Sequence, residues 1–274
     1  FMARGFRNAR PKADAIAAVN AVAESDDAIE SRIRERFEVM NDLTKGAISG
    51  DIRAVIVSGS PGVGKSYSVL EALEKNDPNE NTWTVVKGYA KSTGLLKTLY
   101  QYRHKGNVIV FDDIDNIFSE DVSLNMFKAV ADSSARRRVS WLSEYKMVDE
   151  DTAEIIPRHF DFEGSIIFLT NLDFQALIDK KHKFAPHLEA LMSRSLYLDL
   201  TLHSRRDCLV RIRQVVEEGL LSNLDIEAQA DVLSFVEIHM NNLRELSLRS
   251  VIKLAGLRAA NPNWEKVARI CLCK

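Results

Sequence analysis

The sequence predicts an α/β protein with a five-stranded parallel sheet flanked by helices and a small all-helical domain at the C-terminal end. Short apolar runs alternate with amphipathic helical segments up to residue 203, an order typical of a parallel sheet with crossover helices. From Ser204 onward the apolar spacing is helical throughout. We therefore expect an N-terminal basic arm and helices over 1–47, an α/β domain over 48–202 and a helical domain over 203–274.

The predicted strands are short runs rich in β-branched or aromatic residues, bounded by polar or turn residues. They cover 55–58, 83–87, 108–111, 165–171 and 196–200. The run over 139–162 predicts an extended hairpin between the third and fourth strands, with an acidic tip at Asp149-Glu150-Asp151. Because the runs at 55, 108 and 165 are continuously apolar, we expect those strands to be covered on both faces.

The predicted helices carry apolar residues at intervals of three or four and stop at turn residues. They cover 13–45, 67–73, 92–102, 119–132 and 187–195, before the helical segments of the C-terminal domain. The first helical segment ends at Ser49-Gly50-Asp51. Ser92 is the expected N-cap of the third helix, which Gly106 ends.

Composition excludes some classes of protein. The chain has 274 residues, 46% of them hydrophobic, and a formal net charge of -2, so overall charge gives no attraction to nucleic acid or to a membrane surface. No apolar run approaches the length that crosses a bilayer, and three cysteines are too few for a disulfide framework. We therefore expect a cytoplasmic protein without a membrane partner.

The most informative motif is G-x-x-x-x-G-K-S, between the first predicted strand and the helix that follows it. This spacing predicts a phosphate-binding loop, with backbone N–H groups and a helix N-terminus directed at the phosphates of ATP. The expected nucleotide-binding residues are Gly59, Ser60, Pro61, Gly62, Val63, Gly64, Lys65, Ser66 and Tyr67. Lys65 would reach the outer phosphates and Ser66 would ligate Mg²⁺. The alternative, a Gly-rich turn without a ligand, leaves the complete spacing and its strand-to-helix context unexplained.

Polar residues at the ends of two further strands extend this site. Asp112 and Asp113 follow an apolar run, and Asn171 ends the next. Because ligands of open α/β sheets bind at the carboxyl ends of the strands, we expect Asp112 to hold Mg²⁺ beside Ser66. Asp113 would orient or deprotonate the attacking water, with Asp115 as a second candidate for that base. Asn171 would hydrogen-bond the water or the γ-phosphate, or else form a turn.

Three basic segments are candidates for contacts with nucleic acid. They are the arm over 4–12, the arginines at 136–138 and the pair Arg205-Arg206. A solvated turn explains the arginines at 136–138 equally well, and an untethered terminus is the commoner explanation of the arm. The acidic hairpin tip argues against insertion into DNA, because like charges repel.

The order of these motifs resembles the AAA+ ATPases over roughly residues 48–274. By that resemblance, Lys65 and Ser66 belong to Walker A, Asp112 and Asp113 to Walker B, and Asn171 is sensor 1. Arg194 matches the arginine finger that completes a neighbouring subunit's site, and Arg249 in the lid helix matches sensor 2. The resemblance implies ATP and Mg²⁺ as cofactors and a homo-oligomer, commonly a hexamer. Asp113 departs from the usual Glu of this family, and residues 111–115 and 125–129 are similar to AAA+ proteins of bacteriophages.

The resemblance also implies a role for the segment after the second strand. In the family this loop often faces a central pore and grips a polymer with an aromatic residue, which makes Tyr89 and Lys87 candidates. A tyrosine packed at the sheet edge is the alternative. The sequence thus favours a ring- or helix-forming ATPase that remodels or translocates protein or DNA. Two alternatives remain: an assembly switch, or a replication or helicase-loading factor, with little intrinsic hydrolysis. A small-molecule kinase would leave Asn171, Arg194 and the lid unexplained.

Overall fold

The computed structural model describes residues 24–142, 146–149 and 153–274, so the predicted basic arm and Glu150 and Asp151 lie outside the described residues. The α-helices are α1 (Asp26–Ile48), α2 (Lys65–Asn76), α3 (Ser92–Gln101), α4 (Asp121–Val130), α5 (Phe174–Asp179), α6 (Ala185–Met192), α7 (Arg205–Glu217), α8 (Ile226–His239), α9 (Leu248–Ala260) and α10 (Trp264–Leu272). The strands are β1 (Ala54–Ser58), β2 (Trp83–Lys87), β3 (Val108–Asp112), β4 (Arg138–Ser140), β5 (Met147–Val148), β6 (Ile155–Ile156), β7 (His159–Asp161), β8 (Ser165–Thr170) and β9 (Leu196–Asp199). A 3₁₀ helix covers Asp115–Ser119.

The main sheet confirms the predicted five parallel strands. Its order is β2-β3-β8-β1-β9, and each neighbouring pair runs parallel. After β1 the chain crosses past β8 and β3 to reach β2, whereas β9 lies on the opposite side of β1. The order therefore reverses at β1, and the crevice outside its carboxyl end is where such sheets bind ligands.

Hydrophobic layers cover both faces of the sheet. Val55 and Val57 of β1 join a cluster with residues of α1 and α2, whereas Ile56 joins a cluster with α3 and α4. In the second cluster the ring of Phe127 packs edge-on against the ring of Phe168 at 4.8 Å. Every residue of β1, β3 and β8 is buried, which accounts for the continuous apolar runs in the sequence.

Helix α1 contributes to the same core as the sheet. Ile33, Phe37 and Met40 lie on one face of the helix at intervals of three or four, and all three are buried in the cluster that contains Val55. The C-terminal helices α8, α9 and α10 instead share a cluster of their own with part of α7. The helical domain thus has a hydrophobic cluster of its own, whereas α1 shares that of the sheet.

The region between α4 and β8 forms the predicted hairpin, with one correction. Arg138–Ser140 pairs antiparallel with His159–Asp161, and Met147–Val148 pairs with Ile155–Ile156. Asp149, however, is only 2% exposed, so the prediction of an acidic surface tip was wrong for this residue. Its backbone N–H donates to the Glu154 carbonyl at 2.8 Å, next to the pairing of Val148 with Ile155.

No helix in the described ranges is long and apolar enough to cross a membrane.

Candidate nucleotide-binding site

The loop between β1 and α2 requires glycine at two positions. Gly64 caps α2 with φ +105°, a left-handed conformation that strains other residues. Gly62 has φ +71°, and a Cβ atom there would lie 2.8 Å from the Cβ of Ser247 in the helical domain. The loop therefore curls tightly into the N-terminus of α2 and is approached closely by the helical domain.

Lys65 is buried and connects the loop to the end of β8. Its ammonium donates to the carbonyl oxygens of Gly59 at 2.6 Å and Ser60 at 3.0 Å, and to Asn171 Oδ1 at 3.0 Å. Burial lowers the pKa of Lys65 to about 8, against the opposing effect of nearby carboxylates. An anionic phosphate at this position would compensate the desolvated charge, so the surroundings of Lys65 fit the phosphate contact that the motif predicts.

Asp112 ends β3 and has a partner at each carboxylate oxygen. Ser66 Oγ donates to Oδ1 at 2.8 Å, and the Lys87 ammonium lies 3.0 Å from Oδ2. The Lys87 contact follows from register, because Lys87 at the end of β2 is directly opposite Asp112. A hydroxyl beside a carboxylate is a donor set that suits Mg²⁺, which prefers oxygen ligands and keeps several of its waters. Ser66 and Asp112 therefore fit the metal that the motif implies.

Asp113 lies beside this pair in an uncommon backbone conformation. Its φ is +54°, a left-handed value that Asp tolerates better than most residues. Asn171 Nδ2 donates to Asp113 Oδ1 at 2.8 Å, while Asn171 Oδ1 accepts from Lys65. Burial, and then the neighbouring charge of Asp112, raises the pKa of Asp113. Asp115, the second candidate base, accepts a hydrogen bond from Thr170 Oγ1 at 2.8 Å.

The two predicted arginines occupy different places. Arg249, in the first turn of α9, lines the nucleotide cavity, and its Nη2 lies 4.0 Å from Asp113 Oδ2. Arg194 lies in the turn between α6 and β9, where Nη1 donates to the Ala190 carbonyl at 2.6 Å. Its Nε is 3.6 Å from Asp132 Oδ2, and its side chain is 34% exposed. The fold thus brings Arg249 to the loop of its own chain and leaves Arg194 outside that cavity.

The cavity has a volume of about 710 Å³, within the range of small-molecule sites. One wall consists of the phosphate loop with Lys65, Ser66, Asp112, Asp113 and Asn171. The opposite walls come from α1, α7 and α9, including Phe37, Arg211 and Leu248. Sequence reasoning missed Phe37 and Arg211, because their helices are distant from the loop in the chain and no motif marks them, whereas Leu248 is the neighbour of the predicted Arg249. The apolar spacing of α1 identified Phe37 only as a core residue.

Tyr89 and Lys87, the predicted polymer-gripping residues, have unlike surroundings. Tyr89 is 67% exposed in the segment between β2 and α3. The ammonium of Lys87 instead lies against Asp112. Their role in gripping a substrate stays a prediction.

The basic side chains considered for nucleic acid make contacts within the chain. Arg137 is buried, donates to the carbonyl oxygens of Val130 and Gly164, and has its pKa lowered by burial to about 10. Arg136 forms an ion pair with Asp161. Arg205 donates to the carbonyl oxygens of Met240 and Leu243, and Arg206 pairs with Asp26. Arg138 Nε lies 3.6 Å from Asp161 Oδ1 as well. These contacts give each of the five arginines a role in the fold itself.

Comparisons with known proteins give one relative by sequence. No protein-family model matches the chain. An uncharacterised 36.7 kDa protein of Enterobacteria phage T4, from the nrdC-mobD intergenic region, is 36% identical over 255 residues, which cover 91% of this chain and 77% of the phage protein.

Similar solved structures have low sequence identity. Domain III of the replication initiation protein DnaA from Thermotoga maritima has a TM-score of 0.49 and 13% identity, over 87% of this chain and 91% of that one. The RuvB Holliday junction branch migration motor of the same organism has a TM-score of 0.46 and 12% identity, over 90% of this chain and 69% of that one.

Proposed function

This chain belongs to the same family as the 36.7 kDa phage T4 protein and has the AAA+ P-loop ATPase fold, and from that premise we propose that it binds ATP with Mg²⁺ and hydrolyses it. The observation that carries the proposal is the convergence of five side chains at the switch point of the sheet. They are Lys65, Ser66, Asp112, Asp113 and Asn171. Asn171 is hydrogen-bonded to both Lys65 and Asp113, and Ser66 is hydrogen-bonded to Asp112 beside them, so groups that follow β1, β3 and β8 meet in one polar cluster.

Each side chain has a distinct task in the proposed reaction. Lys65 and the N–H groups of the loop bind the outer phosphates and neutralise charge that develops on them. Ser66 and Asp112 would hold Mg²⁺, which supplies further neutralisation of phosphate charge. Asp113 orients the attacking water and accepts its proton, a role that suits a carboxylate next to the proposed metal ligand Asp112. The amide of Asn171 fixes the positions of Lys65 and Asp113 relative to each other, because it accepts a hydrogen bond from Lys65 and donates one to Asp113.

Hydrolysis is proposed to occur between copies of the chain. Arg249 is supplied in cis, since it lies beside Asp113 of its own chain. Arg194 lies outside that cavity and would complete the site of the next copy, as an arginine finger does. Such a head-to-tail contact produces a closed ring, such as a hexamer, or an open helix. The exposed Tyr89 would then act on a macromolecule, protein or DNA, that the assembly remodels or translocates.

A second candidate function is a nucleotide-dependent assembly switch with little hydrolysis. The observation that favours it is the engagement of Asp113, whose carboxylate accepts from Asn171 and lies 4.0 Å from Arg249. An aspartate is also one methylene shorter than the glutamate usual in the resembling family. In this alternative the site binds nucleotide and orders the assembly, and Asp113 has little effect on turnover.

Steady-state ATP hydrolysis over a range of protein concentrations tests the proposal. We expect the rate of ATP hydrolysis per chain to depend on Mg²⁺ and to rise with protein concentration, because hydrolysis is proposed to need two copies. Asp113→Asn should lower kcat by about 10²- to 10⁴-fold, the usual contribution of a general base, without weakening ADP binding. Asp115→Asn is the matched control, because it removes a neighbouring carboxylate that contacts Thr170.

The same measurement separates the alternatives. A slow wild type that Asp113→Asn hardly alters would favour the switch, and a loss confined to Asp115→Asn would transfer the role of base to Asp115. DNA binding that weakens steeply with salt would identify nucleic acid as the macromolecule, since phosphate contacts release counterions.

A further inference from the structure

Arg211 of α7 is a buried cation next to the phosphate loop. It is 5% exposed, and its guanidinium stacks on the ring of Phe37 with Cζ 3.6 Å from the ring centroid. Its hydrogen bonds go to neutral oxygens: Nε donates to the Val63 carbonyl at 3.3 Å, and Nη1 donates to Gln214 Oε1 at 3.4 Å. Within the described ranges, no carboxylate forms an ion pair with it.

A buried guanidinium without a paired carboxylate is costly, because desolvation disfavours the charged form. Burial lowers the pKa of Arg211 to about 10, which still leaves the group charged at neutral pH. An apolar side chain would fill the same space at a lower desolvation cost. The charge is therefore better explained by what it contacts, and that is the backbone of the phosphate loop.

The contact fixes the direction of one peptide unit. The peptide bonds of the described chain are trans, so the carbonyl and the N–H of a unit point in opposite directions. Since Arg211 binds the carbonyl of Val63, the N–H of Gly64 in the same unit points away from α7. The adjacent unit is fixed in a similar way, because the N–H of Leu248 donates to the Gly62 carbonyl at 3.0 Å.

The helical domain thus holds two consecutive carbonyls of a loop whose N–H groups are the phosphate ligands. The two contacts come from different helices, α7 and the start of α9. Pre-organised donors bind an anion more tightly than donors that must first be reoriented, because the ordering cost is already met. A shift of α7 relative to the sheet would release the Val63 carbonyl and with it this orientation.

We propose that Arg211 is a positioning residue, which holds the Val63–Gly64 peptide in its phosphate-binding orientation and so links the helical domain to the nucleotide's β-phosphate. The proposal rests on the nucleotide binding proposed above and adds to it. Although Arg211 also lines the cavity, the contact that carries the proposal is the one with the Val63 carbonyl, so its proposed effect is exerted through the loop backbone. Its effect should depend on whether the ligand has a β-phosphate, because that group requires the loop.

Arg205 provides a matched control on the same helix. Its guanidinium also donates to two backbone carbonyls, those of Met240 and Leu243, each at 2.6 Å. Both acceptors lie in the helical domain, between α8 and α9. Arg205→Gln therefore removes the same kind of interaction from α7 without touching the phosphate loop.

The test is the ratio of the dissociation constants for AMP and ADP, measured by calorimetry on the full chain with Arg211→Gln and Arg205→Gln. We expect Arg211→Gln to lower this preference for ADP about tenfold, the effect of losing one charged hydrogen bond, and Arg205→Gln to leave it unchanged. Loss of stability alone weakens both ligands equally, so the ratio is unaffected by it. Arg211→Lys keeps the charge and should retain part of the preference, which also covers the case in which Arg211→Gln does not fold.

Two results would overturn the inference. One is an unchanged ratio in both the Gln and Lys variants of Arg211 while the wild type binds ADP. The other is an equal loss of the ratio in Arg205→Gln, which would mean that α7 acts only through general packing. A wild type that binds neither nucleotide would instead refute the proposed function itself, so the two failures are distinguishable.

Discussion

Asp112 has two competing kinds of partner. Its Oδ1 accepts from Ser66, the arrangement expected beside a bound metal, whereas its Oδ2 lies 3.0 Å from the Lys87 ammonium. Both Lys87 and the proposed Mg²⁺ are cations that require this carboxylate. Because the side chain of Lys87 is more than half exposed, the ion pair is screened by water and worth at most about 1 kcal/mol.

Replacing Lys87 should therefore make the site easier to load. In Lys87→Met we expect the Mg²⁺ concentration for half-maximal nucleotide binding to fall by about two- to fivefold, the equivalent of the screened pair. A titration of Mg²⁺ at constant ADP, followed by a fluorescent nucleotide analogue, measures this. Lys91→Met removes an exposed charge from the same segment and should have little effect. An increased Mg²⁺ requirement in Lys87→Met would mean that Lys87 assists loading.

At the residue scale, the sequence predicts best the groups that belong to a contiguous motif. Lys65, Ser66 and Asp112 lie where their motifs place them. The contact of Lys87 with Asp112 depends on β2 pairing with β3 in one register, which no local pattern specifies. Arg211 reaches Val63 across 148 residues of sequence, so only the assembled fold makes that contact visible.

At the scale of elements, helix α1 joins the sheet to the helical domain. Its apolar face is buried against β1 and α2. Its polar residues face α7, where Arg32 pairs with Asp207 and the side chain of Gln214 donates to the Glu30 carbonyl. The predicted division at residue 47 places α1 outside the α/β domain, whereas its packing makes it part of one wall of the nucleotide cavity.

A cavity in this face of α1 should destabilise the sheet itself. Ile33 is 2% exposed and Val39, on the same helix, is 42% exposed. We expect Ile33→Ala to lower the free energy of unfolding by about 2–4 kcal/mol, and Val39→Ala to change it by less than about 0.5 kcal/mol. Hydrogen exchange at the amides of Val55 and Val57 should accelerate with Ile33→Ala. Unchanged exchange there would indicate that α1 unfolds separately from the sheet.

The elements themselves were predicted unequally. The strands were identified because buried parallel strands are continuously apolar. Helix α5 was missed, since its six residues are too few to establish a helical period. The next helix covers Ala185–Met192 instead of the predicted 187–195, so Arg194 lies in the turn beyond it rather than near its end. In that turn the Nε of Arg194 lies 3.6 Å from Asp132 Oδ2, and Arg194 does not line the cavity of its own chain.

At the scale of the whole molecule, the proposed function requires an arginine from a second copy of the chain. Among the ion pairs of the described residues, Asp113 pairs with Arg249. Arg194 instead contacts the Ala190 carbonyl and Asp132. The contacts of Arg194 are a carbonyl and a partly exposed carboxylate at 3.6 Å, so a phosphate from a neighbouring copy could replace them at modest cost. In this arrangement a single copy binds the nucleotide, whereas hydrolysis requires two adjacent copies.

Mixing two inactive variants tests this division. Arg194→Ala should lower ATP turnover by about 10³-fold or more and leave ADP binding intact, whereas Lys65→Ala should lose nucleotide binding. A mixture of the two should regain part of the activity, because a Lys65→Ala copy still supplies Arg194 to the intact loop of its neighbour. Arg136→Ala is the control for loss of a surface arginine, because Arg136 pairs with Asp161 in the hairpin. This variant should hydrolyse ATP at the wild-type rate. If Arg194→Ala is inactive but mixing restores nothing at concentrations where the wild type is active, Arg194 acts only within its own chain.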